Sequence, residues 1–157
     1  MSQSDPQTTN LIIRPMCRSD LYNIVILETQ IFPDPWPMAA FEEELNQDYR
    51  GIIVAEVDNF LTGYAGFIIA AGEAQLTNIG VAQEYRGKSI AKSLLNRIFE
   101  IAKKADCDYI FLDVRPSNKA AINIYEKFGF SELYRRPNYY RIPPEDAIVM
   151  VKNLREV

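Results

Sequence analysis

One stretch of the chain has the residues expected of an anion-binding turn. Arg86-Gly87-Lys88-Ser89 follows a strand-like apolar run and precedes a segment with helical periodicity. A helix N-terminus presents backbone N–H groups without intrahelical partners and a partial positive charge, so it favours an anion such as a phosphate. Two cations lie beside it here, and the glycine lets the backbone approach a ligand closely. The pattern indicates an anion site, although an ordinary strand-to-helix connection shares it.

A second stretch has a carboxylate and a tyrosine that could move protons. Asp113 interrupts the apolar run Tyr109–Val114, and Tyr125 lies in a segment of helical periodicity. A buried carboxylate is costly unless it is paired, and the sequence offers Arg115 as the partner because it lies two positions along on the same strand face. Tyr125 lies at helical spacing from apolar neighbours, so a core tyrosine is the alternative.

The amino-acid composition disfavours several kinds of catalytic site, metal site and binding partner. The 157 residues include no histidine and two widely separated cysteines, Cys17 and Cys107. Zinc sites of the usual spacing and histidine-dependent triads are therefore disfavoured, and reduced cysteines in a cytoplasmic protein are expected. A net charge of −4 argues against nucleic-acid binding and would suit a basic peptide. No apolar run reaches membrane-spanning length, so we expect neither a membrane, a nucleic acid nor a metal as partner.

The strand-like runs indicate how these residues would be positioned. Residues 1–10 are predicted to be a disordered tail and residues 11–155 one domain. Closely spaced runs typical of an antiparallel meander come first, and alternating strands and helices follow. The order predicts an α+β or mixed α/β domain with a mostly antiparallel central sheet of about seven strands flanked by about four helices. The predicted strands are Leu11–Arg14, Gly51–Val57, Leu61–Ala71, Leu76–Val81, Tyr109–Val114, Phe130–Tyr134 and Ala147–Val151.

Helical periodicity occurs in four segments. Ser19 and Asp20 offer N-caps to the first, and Gly129 ends the last. The proline-rich cluster Phe32–Pro37 predicts a stiff loop after the first helix, and Glu42–Glu44 are expected on the solvated side of the second rather than at a metal. The predicted helices are Leu21–Glu28, Met38–Leu45, Ile90–Lys104 and Asn118–Phe128.

A phosphate-binding P-loop is one interpretation of the turn. The Gly87–Ser89 turn resembles the end of such a loop, and Asp113 resembles the aspartate that holds magnesium beside it. The spacing fails, because the position five before Gly87 is Ala82 and the nearest upstream glycine is Gly80. An NTPase therefore stays a minor alternative.

Three segments, in this order and at this separation, resemble the acetyl-CoA-binding core of the GNAT acetyltransferase superfamily: Ile79–Val81, Glu84–Ala91 and Asn118–Phe130. Further segments resemble RimI-type N-terminal alanine acetyltransferases of ribosomal proteins, and the resemblance covers roughly residues 11–152. These segments are Phe32–Trp36, Leu112–Asn118, Arg136–Tyr140 and Glu145–Ala147.

The resemblance implies an enzyme that moves acetyl from acetyl-CoA, without a metal, to the N-terminal α-amino group of a protein. The implied acceptor is a small-subunit ribosomal protein with an N-terminal alanine. An α-amine has a pKa of about 7.7–8.0 against about 10.4 for lysine, so it asks less of a catalytic base. A lysine or small-amine acetyltransferase and a non-catalytic acetyl-CoA-binding module are the alternatives.

The resemblance also implies a role for each site residue. Asp113 would be the base, through a water, and Tyr125 the acid. Asn118 would contact the cofactor near its thiol. The backbone of the strand would pair with the pantetheine arm and the turn would wrap the pyrophosphate, through residues Ile79, Gly80, Val81, Arg86, Gly87, Lys88, Ser89, Ile90 and Ala91.

The acceptor peptide would lie between four aromatic residues, with two acidic residues to meet its basic side chains. Glu145 or Asp146 would supply the acidic contact, and the aromatic residues are Phe32, Trp36, Tyr139 and Tyr140. Two positions depart from the family pattern. Ser89 stands where the phosphate loop usually has its first glycine, and Asp113 replaces a more familiar glutamate.

Overall fold

A computed structural model describes residues 10–87 and 89–155 of the chain. Its seven strands form one mixed sheet in the order β1-β2-β3-β4-β5-β7-β6. The strands are β1 Leu11–Pro15, β2 Arg50–Val57, β3 Phe60–Ala70, β4 Glu73–Val81, β5 Tyr109–Val114, β6 Ser131–Arg141 and β7 Pro144–Asn153. Four α-helices accompany them: α1 Leu21–Ile31, α2 Met38–Glu42, α3 Ile90–Lys104 and α4 Lys119–Lys127.

Strand pairing confirms the predicted fold class. Strands β4 and β5 are parallel, whereas β1–β2, β5–β7 and β6–β7 are antiparallel. Strand β1 lies at an edge of the sheet, as its terminal proline predicts. Within the part of the chain that the structure describes, no helix is long and apolar enough to cross a membrane.

Contacts divide the chain into two compact units. The first comprises the chain up to Phe67 together with Asn78–Ile98. Its core includes Ile24 of α1, Phe41 of α2 and Tyr64 of β3, none of which is exposed to solvent. Helix α3 packs closely on β3, because a Cβ added at Gly63 would lie 3.2 Å from a Leu94 methyl group. The glycine therefore lets this helix approach the sheet.

The second unit comprises Ile68–Thr77 and the chain from Phe99 onward. Its core is formed by alternate residues of β5 and by consecutive residues of β7, and by the aromatic ring of Phe99, which lies 6.3 Å from Phe128 and 6.0 Å from Phe130. Helix α4 ends as predicted, with Gly129 in the left-handed region at φ +95°. The fully buried strand residues include Ile110, Leu112, Val149 and Met150.

The second helix is shorter than its pattern predicts, and one of its acids is buried. Helix α2 ends at Glu42 and a turn follows. Glu44 was expected on the solvated side, but it is only 6% exposed. The prediction is wrong because Arg50 pairs with this carboxylate, its Nε lying 2.8 Å from Glu44 Oε2. A partner of this kind is what makes a buried charge tolerable.

Asp20 does not cap the first helix through its side chain. A 3₁₀ turn at Arg18–Asp20 precedes α1, and the Asp20 carboxylate accepts a bond of 2.8 Å from the backbone N–H of Cys17 at the start of that turn. It also pairs with Arg14, at 2.7 and 2.8 Å. The arginine of β1 therefore competes with the helix for this carboxylate.

The segment between the predicted strands Phe130–Tyr134 and Ala147–Val151, which the sequence left outside any strand, belongs to two longer strands. Tyr139 and Tyr140 lie in β6, and Tyr140 pairs with Glu145 of β7. Aromatic residues favour strands, and the internal Pro137 is tolerated because β6 is at the edge of the sheet. Irregular register between Arg136 and Tyr140 accompanies the proline.

Candidate active site

The connection between β4 and α3 has a backbone suited to binding an anion. Gly87 and Ser89 both adopt left-handed φ angles, of +77° and +65°. Both are exposed, and so is Arg86, whose Nε donates a bond of 3.2 Å to the carbonyl of Val81. Lys88 lies outside the described residues. Exposed backbone, with a cation in the same turn, therefore lies just before the start of α3.

Ser89 takes a backbone conformation that favours glycine. Its carbonyl accepts bonds of 3.1 Å from both the N–H and the hydroxyl of Ser93, so it begins the hydrogen bonding of α3. A residue with a Cβ costs roughly 1–2 kcal/mol more than glycine in the left-handed region. The departure from the family pattern thus coincides with a position of backbone strain.

The end of β4 is closely packed on one side. Gly80 is buried, and a Cβ added there would lie 2.8 Å from the hydroxyl oxygen of Tyr64. Ile79 and Val81 on either side are half-buried. Ile90 at the start of α3 is 1% exposed, so its side chain belongs to the core. Gly80 can therefore offer a ligand only its backbone, and the side chain of Ile90 is not accessible to one.

Asp113 lines an open cleft in the second unit. The cleft has a volume of about 270 Å³, and Gln75, Phe111 and Arg136 also line it. The Asp113 side chain is 14% exposed, and its carboxylate lies 3.5 Å from Arg136 Nε. Burial, the negative charge of Asp113 and a hydrogen bond to that carboxylate raise the pKa of Tyr139. The carboxylate is therefore held between a cation and a hydroxyl at the surface of the cleft.

Arg115 is not the partner of Asp113, which corrects the prediction from strand spacing. Its guanidinium lies 3.3 Å from Glu145 Oε1 and donates bonds of 2.9 and 2.8 Å to the carbonyls of Ile142 and Pro143. Strand β5 ends at Val114, so the alternation on which the prediction depended ends before Arg115. The sequence reasoning missed Arg136, which is distant in the chain and reaches Asp113 only through the pairing of β6, β7 and β5.

Tyr125 is buried, and its ring packs edge-on against Phe130 with centroids 5.7 Å apart. Burial, with the nearby Tyr140, raises the pKa of Tyr125 well above its ordinary value. The phenol therefore keeps its proton throughout the neutral range. A neutral phenol can donate its proton to a ligand.

Tyr139 and Tyr140 form an aromatic pair on β6. Their ring centroids are 5.0 Å apart in an edge-on arrangement, and the guanidinium carbon of Arg115 lies 4.1 Å from the Tyr140 ring centre. Burial first, then the charge of Asp113, raises the pKa of Tyr140 to about 12. Both tyrosines therefore remain neutral beside the carboxylate.

The parallel ladder between β4 and β5 is short. It ends where Gln75 pairs with Phe111, whereas β5 stays paired with β7 as far as Val114.

Asn118 precedes α4, and its Oδ1 accepts a bond of 3.2 Å from the backbone N–H of Ala121. The side-chain oxygen of Asn118 thus caps the helix.

Phe32 and Trp36 are half-buried rather than loose surface rings. Both pack against the core of the first unit, and Trp36 lies 5.3 Å from Phe41 between ring centroids. The Trp36 backbone N–H donates a bond of 2.9 Å to the buried carboxylate of Glu28. Sequence reasoning gave Glu28 no role, although its spacing of four from the apolar Ile24 could have indicated it.

The two acids of β7 are engaged within the chain. Glu145 accepts bonds of 2.7 and 2.9 Å from the backbone and hydroxyl of Ser117. Asp146 accepts one of 2.8 Å from the backbone of Asn138. Their contact with a basic acceptor stays a prediction. Among the described residues, no group of three or more acidic or cysteine side chains could hold a metal ion.

Comparison with known proteins gives the class of this protein. The model of the acetyltransferase (GNAT) family matches residues 21–130. The chain therefore belongs to the acetyltransferase (GNAT) family, and it is an acetyl-CoA-dependent N-acetyltransferase.

Similar proteins include N-alpha-acetyltransferase RimI of Mycobacterium tuberculosis, 34% identical over 91% of this chain and 92% of that protein. The [ribosomal protein bS18]-alanine N-acetyltransferase of Haemophilus influenzae is 31% identical over 88% of this chain and 96% of its own length. The crystal structure of the ribosomal-protein-S18-alanine N-acetyltransferase from Escherichia coli superposes with a TM-score of 0.85 at 27% identity, covering 94% of this chain and 96% of that one.

Proposed function

We propose that this enzyme transfers acetyl from acetyl-CoA to the N-terminal α-amino group of a ribosomal protein that begins with alanine. The observation that carries the proposal is the Asp113 carboxylate at the surface of an open cleft, where an amine can reach it. The names of the relatives from Haemophilus influenzae and Escherichia coli support the choice of acceptor.

The turn before α3 would hold the pyrophosphate of acetyl-CoA. Its left-handed residues Gly87 and Ser89 leave backbone exposed at a helix N-terminus, where anions bind favourably. Arg86 is exposed beside it, and Lys88 and the backbone of Ile90 and Ala91 complete the proposed contact.

The end of β4 would bind the rest of the cofactor through its backbone. Gly80 has no room for a side chain because Tyr64 occupies that space, which supports a contact through main-chain groups of Ile79, Gly80 and Val81. Asn118 would contact the cofactor near its thiol through its side-chain amide. Acetyl-CoA supplies a thioester, which is activated towards attack by an amine.

Asp113 would accept one proton during the reaction, and Tyr125 would donate another. Asp113 accepts a proton from the attacking amine, directly or through a water, as the new N–C bond forms. The C–S bond then breaks, and Tyr125 donates its proton to the departing sulfur. The phenol is protonated before the step, since burial raises the pKa of Tyr125.

Four aromatic residues would line the acceptor. Tyr139 hydrogen-bonds to Asp113, so a peptide that brings its amine to this carboxylate passes Tyr139 and its neighbour Tyr140. Phe32 and Trp36 are the other two aromatic residues proposed for the acceptor, and both are anchored in the core of their own unit. Residues 11–155 would form one catalytic domain after an N-terminal tail. The reaction would take place in the cytoplasm, without a metal, a membrane or a nucleic acid.

Two peptides test the proposal. One has a free N-terminal alanine and no lysine, and the other is blocked at its N-terminus and has one internal lysine. We expect CoA thiol release from acetyl-CoA with the first peptide alone. Release only with the blocked peptide would contradict the proposal in favour of a lysine acetyltransferase.

Release with neither peptide would also contradict the proposed acceptor. Measurements of acetyl-CoA binding and of spermidine acetylation would then distinguish a module without turnover from a small-amine acetyltransferase. ATP binding with magnesium would revive the P-loop alternative, whereas its failure removes that alternative.

A further inference from the structure

A buried carboxylate in the first unit connects the loop Phe32–Pro37, which would line the acceptor, to strand β4, whose end would bind the cofactor. Glu28, near the end of α1, is only 2% exposed. Its Oε2 accepts a bond of 2.9 Å from the backbone N–H of Trp36, and its Oε1 accepts one from the hydroxyl of Tyr64. The side chain of Asn78 on β4 lies close enough to this carboxylate to lower its pKa. Three separate segments of the unit thus meet at one carboxylate.

Two of these segments carry residues of the proposed site. Trp36 belongs to the loop that would line the acceptor peptide. Tyr64 has its hydroxyl against Gly80, where a Cβ would lie 2.8 Å from the oxygen, and Asn78 is two residues before Gly80 on the same strand. A shift of the Glu28 carboxylate would therefore displace both the loop of Trp36 and the Gly80 end of β4.

Burial raises the pKa of Glu28, and the hydrogen bonds from Tyr64 and Trp36, with the nearby side chain of Asn78, oppose that shift. A carboxylate in the core is destabilising unless its oxygens accept hydrogen bonds. An aliphatic residue would pack there at a lower cost in free energy. The carboxylate is suited instead to accept several donors from different directions, which a leucine could not do.

We propose that Glu28 is a positioning residue for acetyl transfer, which holds the loop of Trp36 and the Gly80 end of β4 in one arrangement. It does not touch either substrate. Its effect is to keep the wall of the acceptor site and the backbone that orients the thioester in register, where small displacements cost large factors in rate. The kinetic part of this inference rests on the proposed function.

Glu28→Gln tests the inference because the amide keeps the size of the side chain but replaces one acceptor oxygen with a donor. We expect kcat/KM for the alanine peptide to fall about tenfold or more, while the Kd for acetyl-CoA changes less than about threefold. Trp36 is the single tryptophan of the chain, so its fluorescence reports on this loop alone. We expect acrylamide to quench it about twice as strongly in the variant.

Glu44→Gln is the matched control. Glu44 is also a buried acid of the first unit, 6% exposed, but it pairs with Arg50. We expect this variant to lose thermal stability and to keep wild-type kcat/KM and Trp36 quenching. If Glu28→Gln behaves in the same way as Glu44→Gln, Glu28 is a structural acid only and the inference is overturned.

Tyr64→Phe covers the case in which Glu28→Gln does not fold. It removes one donor to the carboxylate and leaves the ring in the core, so the same loss of kcat/KM and gain in quenching are expected. Unchanged values would again overturn the inference. If the wild-type enzyme acetylates neither peptide, the proposed acceptor fails, and the quenching of Trp36 in Glu28→Gln against Glu44→Gln still decides whether Glu28 holds the loop.

Discussion

Asp113 and Tyr125 differ in how the surrounding protein restrains them. Asp113 is held by Arg136 at 3.5 Å and by the Tyr139 hydroxyl, and it borders open space. Tyr125 is packed against Phe130 and its pKa is raised by burial. The first is a charged group stabilised at a surface, and the second is a neutral group protected in the interior. Those are the environments that a base and an acid require.

We expect Asp113→Asn to lower kcat/KM for an alanine peptide by about a hundredfold or more at neutral pH, as removal of a general base does. The deficit should shrink as pH rises from about 7 to about 9, because an α-amine with a pKa of about 7.7–8.0 then loses its proton unaided. Steady-state rates across that range measure it. Glu132→Gln, which removes a carboxylate from the exposed pair with Arg135, is the control. A deficit independent of pH would contradict the role of base.

We expect Tyr125→Phe to lower kcat by about tenfold or more and to leave the Kd for acetyl-CoA unchanged. The phenol is buried and its pKa is raised, so the wild-type rate should also show no loss through tyrosine ionisation up to about pH 10. CoA release and equilibrium binding measure the two constants. Tyr22→Phe, on an exposed tyrosine of α1, is the control. Equal losses of kcat and of affinity would make Tyr125 a structural residue.

At the scale of elements, the start of α3 combines a suitable site with a strained backbone. Exposed groups at a helix N-terminus attract an anion, and Ser89 at φ +65° occupies a conformation in which glycine is the least costly residue. The serine hydroxyl also lies at the start of the helix. Ser89 can therefore act in one of two ways. Its Cβ can narrow the loop and weaken anion binding, or its hydroxyl can donate an additional hydrogen bond to the phosphate.

Ser89→Gly separates these two possibilities. We expect the free energy of unfolding to rise by about 1 kcal/mol and acetyl-CoA to bind more tightly, because the strain and the Cβ are removed. Thermal denaturation and equilibrium binding measure the two effects. Ala71→Gly, at φ +53° in the β3–β4 turn, should raise stability similarly without changing affinity. Weaker binding in Ser89→Gly would mean that the hydroxyl contributes to the site.

At the scale of the whole molecule, charge bears on the choice of acceptor. The net charge of −4 favours the approach of a basic peptide. Glu145 and Asp146, which the sequence offered as specific contacts, are engaged with Ser117 and Asn138. The attraction is therefore expected to come from the general field of the protein more than from one pair.

We expect an alanine peptide with arginines at the following positions to have a KM about threefold lower than a matched peptide with glutamates, in low salt. The difference should largely disappear at about 0.5 M salt, since the Debye length there is shorter than the distance between most surface charges. KM values at the two ionic strengths measure it. A difference that persists in high salt would indicate a specific contact instead of a general field.

The sequence by itself determined the order and kind of the elements. Apolar periodicity is local, so β1, β5, α3 and α4 were predicted close to their observed bounds. The motifs that resemble the GNAT core are also local, which is why site residues of the turn, the strand and the helix could be proposed from the sequence. The left-handed conformation at Gly129 followed from the glycine at the end of a helix.

Only the tertiary structure decided the partners of buried charges. Arg136 rather than Arg115 reaches Asp113, because the pairing of β6, β7 and β5 brings a distant residue to that carboxylate. Glu28 and Glu44 are buried because Trp36 and Arg50 reach them. Such pairs depend on the approach of segments far apart in the chain, and periodicity along one segment contains no information about the opposite side of the contact.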